Sequence, residues 1–438
     1  MSRQPISVLC LALCTALLWG LWRMSAIAEQ PGPLPDLQLP ALRAPVGAGP
    51  RAATTPQPAR GASAAEKMPI IRVGLLAEPI RSLTIEVSES FVVKPVGSEK
   101  VLYKSGPIGP TAISAGAAGI KLGKRELAVS QIEIVPAKSP AVWVAGHQYR
   151  GKVRFQRQGT SAITAVNVVP LEDYVASVVD SEMPAAFPVE ARKAQAIVAR
   201  TYALYQKQVA EPAAIADLFA STRSQKYLGY QYREGTRLLA GESQAGRKIA
   251  EATRGRVCCY RGRIFCTYYC AVCGGGTVKG TEVFSDAAPP LVSVKCDYCR
   301  EARLYRWKAD ISKADFEREL EPWLREKGQK LGPLKTVSLA PTKPSAGTLP
   351  EFDVRSGRQS VRISGSELRQ LLSDRGLYSP RFRIEDRGRM LEISGQGHGH
   401  GVGLCQWGAR GQALEGRTCD EILKYYYPGA TVETHNTN

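Results

Sequence analysis

The chain has 438 residues, 44% of them hydrophobic, which is ordinary for a folded protein and long enough for two or three domains with a sizeable core. Lys and Arg number 58 against 40 Asp and Glu, a formal charge of +18. No basic run is long enough to be a nucleic-acid tail, so the excess is spread over surfaces that suit an acidic polymer, whether nucleic acid, anionic lipid or a carboxylate-bearing glycan.

Arg3 precedes an apolar stretch from Ile6 to Trp22, and Ala26-Ile27-Ala28 has the small-x-small form of a signal-peptidase site. Residues 1–28 are therefore expected to be an export signal, with an uncleaved membrane anchor as the alternative, since about 17 apolar residues are at the short end for a span. Cys14 follows the bulky Leu13 and makes a poor lipoprotein site. Residues 29–67 are rich in Pro, Ala and Gly, carry too little apolar surface to offset chain entropy, and read as a tether.

From 68 to 167 come short β-branched runs such as "IIRVGLL", "SLTIEVSES" and "AVWVAGHQYRGKVRF", separated by Gly, Pro and Ser, which predict a β-rich part built as a small sandwich or barrel. The texture changes at Pro170. Leu171, Tyr174, Val175, Val178 and Val179 recur at helical spacing, and Pro184 ends that helix. Glu182 falls four residues after Val178, so its carboxylate points with the apolar stripe toward protein. A second helix starts at Pro188, with Ala191, Ala194, Val198, Tyr202 and Tyr205 on one side, and packs close to the first with Glu182 near the turn. Beyond residue 218 the pattern is mixed: strand-like "GRVCCYRGRIFCTYYC", a cysteine-bearing loop region, a polar helix around 313–327, strands near 335–339, 361–363 and 390–393, and a short amphipathic helix in "CDEILKYYYPGATVE". The expected fold class is α+β: a β-rich N-terminal part (68–167) joined to a mixed helix-and-strand part (168–433), with a small cysteine-stapled loop region and a tail over 434–438.

Three constellations can carry chemistry. A carboxylic acid on the buried side of a helix end has its pKa pushed up and holds a proton near neutral pH, the state a general acid needs; the alternative for Glu182 is a structural pair with a backbone amide, Arg192 or Arg200. Cys270-x2-Cys273 and Cys296-x2-Cys299, separated by 22 residues, approach the spacing of a four-thiolate zinc site. Such a site is closed to substrate and would staple the fold. Disulfides are the alternative in an exported chain, but two of the eleven cysteines lie in the leader, and four in a metal site leave an odd number. Cys405 and Cys419 are free to pair or to stay as thiols, and of the vicinal Cys258 and Cys259 at most one is expected to face the core. Finally, "SGQGHGHGVGLCQWGARGQA" holds two of the four histidines in a run with seven glycines, suited to a tight loop that brings His398 or His400, with Gln406 and Trp407, against a groove. Two imidazoles without a third ligand are weak grounds for a metal.

"LEDYVASVVDSEMPAAFPVEARKAQAIVARTYAL" and "GQGHGHGVGLCQWGARGQALEGRTCDEILKYYYPG" resemble the two signature blocks of the SpoIID family, the group of stage II sporulation protein D and amidase enhancers, and the two cysteine-bearing stretches look like its middle blocks. The likeness covers roughly residues 70–432. It implies that 168–433 is the catalytic part and that the protein is a lytic transglycosylase of peptidoglycan strands lacking stem peptides. By the same resemblance Glu182 is the acid and base that forms a 1,6-anhydro muramic product. It further implies that Arg200, Thr201 and Tyr202 (the "ARTYA" segment), His400 and Gln406 line the glycan groove, and that His398 departs from a Trp usual in the family. No organic cofactor is expected. The competing reading is a non-catalytic wall-binding enhancer of a cell-wall amidase. A basic zinc-ribbon nucleic-acid binder fits the charge but not the leader.

Overall fold

Alternation of apolar and polar residues along the N-terminal strands builds two sheets that share one core. In Ser82–Val87 the buried positions are Leu83, Ile85 and Val87; in Phe91–Pro95 they are Phe91 and Val93. One sheet has seven strands and runs from Leu218–Phe219 at one edge through Ile70–Gly74, Ala162–Pro170 and Lys152–Gln158 to Tyr103–Ser105. The other has eight, from Arg237–Ala240 through His147–Tyr149 and Ser82–Val87 to Arg125–Leu127. The computed structural model describes residues 69–221, 223–341 and 347–435; the expected leader and most of the tether lie outside them. Among the described residues no helix is long and apolar enough to cross a membrane.

The β-rich part is not closed by its own residues. Leu218–Phe219 adds in parallel to Ile70–Gly74, and the hairpin of Gln231–Glu234 and Arg237–Ala240 extends the second sheet. Helix α1 (Leu171–Glu182) follows directly from strand Ala162–Pro170, and its Leu171, Tyr174, Val175, Val178 and Val179 are buried in the same core. Each fully buried valine contributes about 1.5–3 kcal/mol. Pro170 precedes the first turn and Pro184 follows the last, as the sequence predicts.

Helix α2 (Val189–Val209) divides two cores. Its Ala196, Ala199 and Ala203 face the β core, while Ala191, Ala194, Ile197 and Val198 face a second one. Alanine on both flanks permits the close approach. Helix α3 (Gln244–Ala252) covers α1, and strand Arg256–Tyr260 lies between the two cores, so that Cys258 faces one and Cys259 the other. Both are buried, at 1% and 5% exposure. This corrects the expectation of at most one: alternation sends neighbours to opposite faces, but here both faces are covered.

A third core was not foreseen as a unit. Helix α4 (Lys313–Glu326) and helix α5 (Gly365–Leu371) pack with two three-stranded sheets, one of Arg306–Ser312, Met390–Gln396 and Phe382–Arg387, the other of Thr336–Leu339, Glu351–Ser356 and Gln359–Ser364. Trp307, Phe316, Phe352, Ile363 and Leu391 fill it. This lobe is inserted between the second Cys-x2-Cys pair and the glycine-rich loop. Helices α6 (Gln406–Leu414) and α7 (Cys419–Tyr426) then complete the second core against α2.

Candidate functional site

Glu182 ends α1 at the mouth of a cleft of about 440 Å³. Its walls include Tyr202 of α2, the stretch around Tyr268–Ala271, the loop carrying His398 and His400, and Ser366, Arg369 and Gln370 of α5 in the inserted lobe. A neighbouring hollow of about 490 Å³ shares Tyr202, Arg223, Ser224, Tyr268, Val283 and Phe284 with it, which makes an elongated groove. Another hollow lies against α4, but its Glu317 and Glu321 are engaged by the Leu334 amide and by Arg325.

The Glu182 carboxyl is held from three sides. One oxygen accepts the Lys226 backbone N–H at 2.7 Å; the other faces the Gln406 amide at 3.4 Å, which also contacts Gln195. The buried Tyr269 hydroxyl lies beside the same carboxyl and beside Gln225. Burial is the leading influence and raises the Glu182 pKa above the usual carboxylate value, while the Lys226 amide, Tyr269 and Gln406 pull it down. Glu182 is the only carboxylate among the described residues lining the cleft. Asp180 is taken up by Arg192 and by the Ser243 N–H at 2.5 Å, and Asp173 by Arg150 and Arg247. A carboxyl whose pKa is raised by burial, without a carboxylate partner in the cleft, suits a reaction whose nucleophile belongs to the substrate.

The glycine loop works through its backbone. Gly397, Gly399, Gly401 and Gly403 all have positive φ, and a Cβ on Gly403 would stand 2.0 Å from the Tyr268 carbonyl oxygen. That approach lets His398 pair with Val272 in both directions, at 3.1 and 2.7 Å, and lets Leu404–Cys405 run in parallel beside Tyr269–Cys270. His400 Nδ1 accepts the Val402 N–H at 3.1 Å, and its ring stands edge-on to Phe284 and Tyr268. Burial, then the Arg369 charge, lowers His400 to about 4, so the ring is neutral at neutral pH and shapes the wall. Trp407 turns away from the groove and packs on Phe187.

Of the residues assigned to the groove, Tyr202, His400 and Gln406 line it and Arg200 and Thr201 do not. Arg200 is 0% exposed, grips Glu172 through Nε and Nη2 at 2.9 and 2.5 Å, and donates to the carbonyls of Ala250 and Arg256. Thr201 donates to the Ile197 carbonyl and accepts the Cys258 N–H. Both are corrected from groove to core: successive helical residues point about 100° apart, so three in a row cannot share one face. Arg200→Met is accordingly expected to cost about 3–5 kcal/mol in chemical denaturation, because it strands the Glu172 carboxylate. Unchanged stability with weakened ligand binding would return Arg200 to the groove. Sequence reasoning missed Tyr269, the Lys226 amide, Arg223 and Arg369. Only Tyr269 had a signal, as part of the strand-like "FCTYYC".

The four-sulfur cluster also differs from expectation by one member. Cys273, Cys296, Cys299 and Cys405 are buried with their Sγ atoms within 4.8 Å of one another, and Cys405 takes the place predicted for Cys270. Cys270 lines the cleft instead. The described cysteines are all free thiols. The Cys273–Cys299 separation of 3.7 Å matches the edge of a tetrahedron with metal–sulfur bonds of about 2.3 Å, roughly 3.8 Å. Donors aimed at sulfur, the Cys273 and Gly408 N–H groups on Cys405 and the Tyr426 hydroxyl beside Cys296, suit thiolates. The quartet fits a metal ion. Cys405 caps α6, whose first residue is Gln406, so the cluster and the Glu182 contact are adjacent in the chain.

The sequence is similar to known proteins. Residues 159–260 match the model of SpoIID, stage II sporulation protein, and residues 289–403 match a domain of unknown function, DUF8618, which spans the inserted lobe. An uncharacterized protein of Brachyspira hyodysenteriae is 31% identical over 318 residues, 73% of this chain and 80% of that one. Stage II sporulation protein D of Bacillus subtilis is 31% identical over 279 residues, 62% of this chain and 77% of that protein. The amidase enhancer of Bacillus subtilis is 28% identical over 298 residues, covering 59% of this chain and 40% of the enhancer.

Proposed function

Because the chain belongs to the SpoIID family, we propose that the Glu182 cleft is the active site of a lytic transglycosylase acting on peptidoglycan strands stripped of stem peptides. The observation that carries this reading is Glu182, buried at the end of α1 as the one carboxylate among the described residues lining the cleft, with a neighbouring hollow that extends the cleft. Protonated Glu182 gives its proton to the oxygen linking muramic acid to the next sugar as the C1–O bond breaks. The C6 hydroxyl oxygen of the muramic residue then bonds to C1, and its proton passes to the Glu182 carboxylate. No water enters, and the acid is regenerated. Tyr269 and Gln406 hold the carboxylate while it is charged.

The quartet of Cys273, Cys296, Cys299 and Cys405 would hold a zinc ion, which supplies structure and takes no part in the reaction. The protein would act in the cell envelope, exported by residues 1–28 or tethered through them. Similarity to an amidase enhancer supports a second reading, a wall-binding partner of an amidase that does not cut. Release of soluble fragments from stripped strands by the wild type, set against pull-down of intact strands, separates the two.

The Gln406 amide favours the charged form of Glu182. Gln406→Ala therefore raises the Glu182 pKa further and keeps the acid protonated to higher pH. The alkaline limb of kcat/KM is expected to move upward; a limb that stays or moves down would separate Gln406 from the acid.

A further inference from the structure

Arg369 is a cation without an anion. It belongs to α5 of the inserted lobe and lines the same cleft as Glu182. Its Nε donates to the Tyr378 carbonyl at 3.2 Å, which leaves both Nη groups without a partner among the described residues. Burial is the main influence on it and lowers its pKa from the usual arginine value; the one ionisable group that favours its charge is the Cys270 thiol. A partly buried guanidinium that gives up hydration without a carboxylate in return is unfavourable in the free protein. Its planar fork matches a carboxylate in two-point contact.

Next to it stands His398. Tyr378 ties the pair together: its carbonyl receives both Arg369 Nε and the Gly399 N–H at 2.9 Å, and its ring packs edge-on against His398 at 5.7 Å. Partial desolvation, then the Arg369 charge, holds His398 below the usual histidine value. A neutral imidazole can donate to an anion without repelling the guanidinium beside it.

We infer that Arg369, assisted by His398, is a binding site for a carboxylate of the bound polymer, on the wall that the inserted lobe contributes to the Glu182 cleft. The inference rests on the proposed function, and it deepens it. A muramic residue stripped of its stem peptide exposes a free carboxylate, whereas the peptide converts that carboxylate to an uncharged amide and adds bulk. An arginine at this place therefore selects stripped over peptide-bearing strands, by an attractive contact that only the stripped form offers.

The test measures binding by the intact chain carrying Glu182→Gln, which stops turnover, alone and combined with Arg369→Gln or Arg369→Lys. The probes are stripped strands, stripped strands with their carboxyls reduced to alcohols, and peptide-bearing strands. Arg369→Gln is expected to weaken binding of stripped strands about 10- to 100-fold, with Arg369→Lys intermediate, and to leave the carboxyl-reduced strands bound as by the parent. Equal affinity of parent and Arg369→Gln for stripped strands, or the same loss on reduced ones, would overturn the inference and leave the glycan reading standing. Failure of the parent to bind any strand would overturn both.

Discussion

Replacing Glu182 by Gln is expected to lower strand cleavage by about 10²- to 10⁴-fold while leaving a protein at least as stable as the wild type above neutral pH. The rate follows from removing the proton donor; Gln keeps an oxygen to accept the Lys226 N–H, so the loop that carries this amide stays in place. Stability follows from linkage. The folded protein holds the Glu182 proton more tightly than the unfolded chain does, because burial raises its pKa. A group of that kind contributes stability that is fully present below its unfolded value and is lost as pH rises through its folded value. Gln has no proton to lose, so thermal melts at pH 5 and pH 8 should show the variant gaining on the wild type with pH. A variant that melts well below the wild type at pH 8 would mean that the carboxylate is a structural partner.

The second large effect concerns sulfur. Cys405→Ser is expected to abolish binding of the proposed metal ion and to cost several kcal/mol, whereas Cys270→Ser keeps the ion at full stoichiometry. Metal content measured on the purified variants, with urea unfolding alongside, decides between the two assignments. Binding to a site absent from the unfolded chain adds directly to folding stability. The loss should also reach the active site, because Cys405 caps α6 and the next residue, Gln406, contacts Glu182. If Cys270→Ser is the variant that loses the ion, the quartet predicted from the two Cys-x2-Cys pairs is correct and the geometry of Cys405 misleads.

What the sequence made legible was local. The helical spacing of Leu171, Tyr174, Val175, Val178 and Val179, bounded by prolines, predicts α1, and Glu182 at its end is found at the cleft. Gly397, Gly399, Gly401 and Gly403 of the histidine loop adopt the positive φ that glycine permits. Long-range pairing was not legible. Cys405 lies 132 residues from Cys273 and joins the cluster because strand Leu404–Cys405 aligns with Tyr269–Cys270, a register that no spacing motif encodes. The same holds for the inserted lobe, of which one helix and three strands were read singly while α5, its own core and the wall it gives to the cleft were not. Arg200 and Thr201 were assigned through their motif, and a motif does not say which way a helical residue faces.

The most direct test of the central claim is mass spectrometry of the soluble products when the purified protein, from about residue 29 onward, is mixed with amidase-stripped glycan strands. Fragments ending in 1,6-anhydro muramic acid, lighter by one water than hydrolysed ends, are expected from the wild type and none from Glu182→Gln. Intact strands from both proteins, with the strands still bound, would contradict the claim and leave a wall-binding partner of another enzyme.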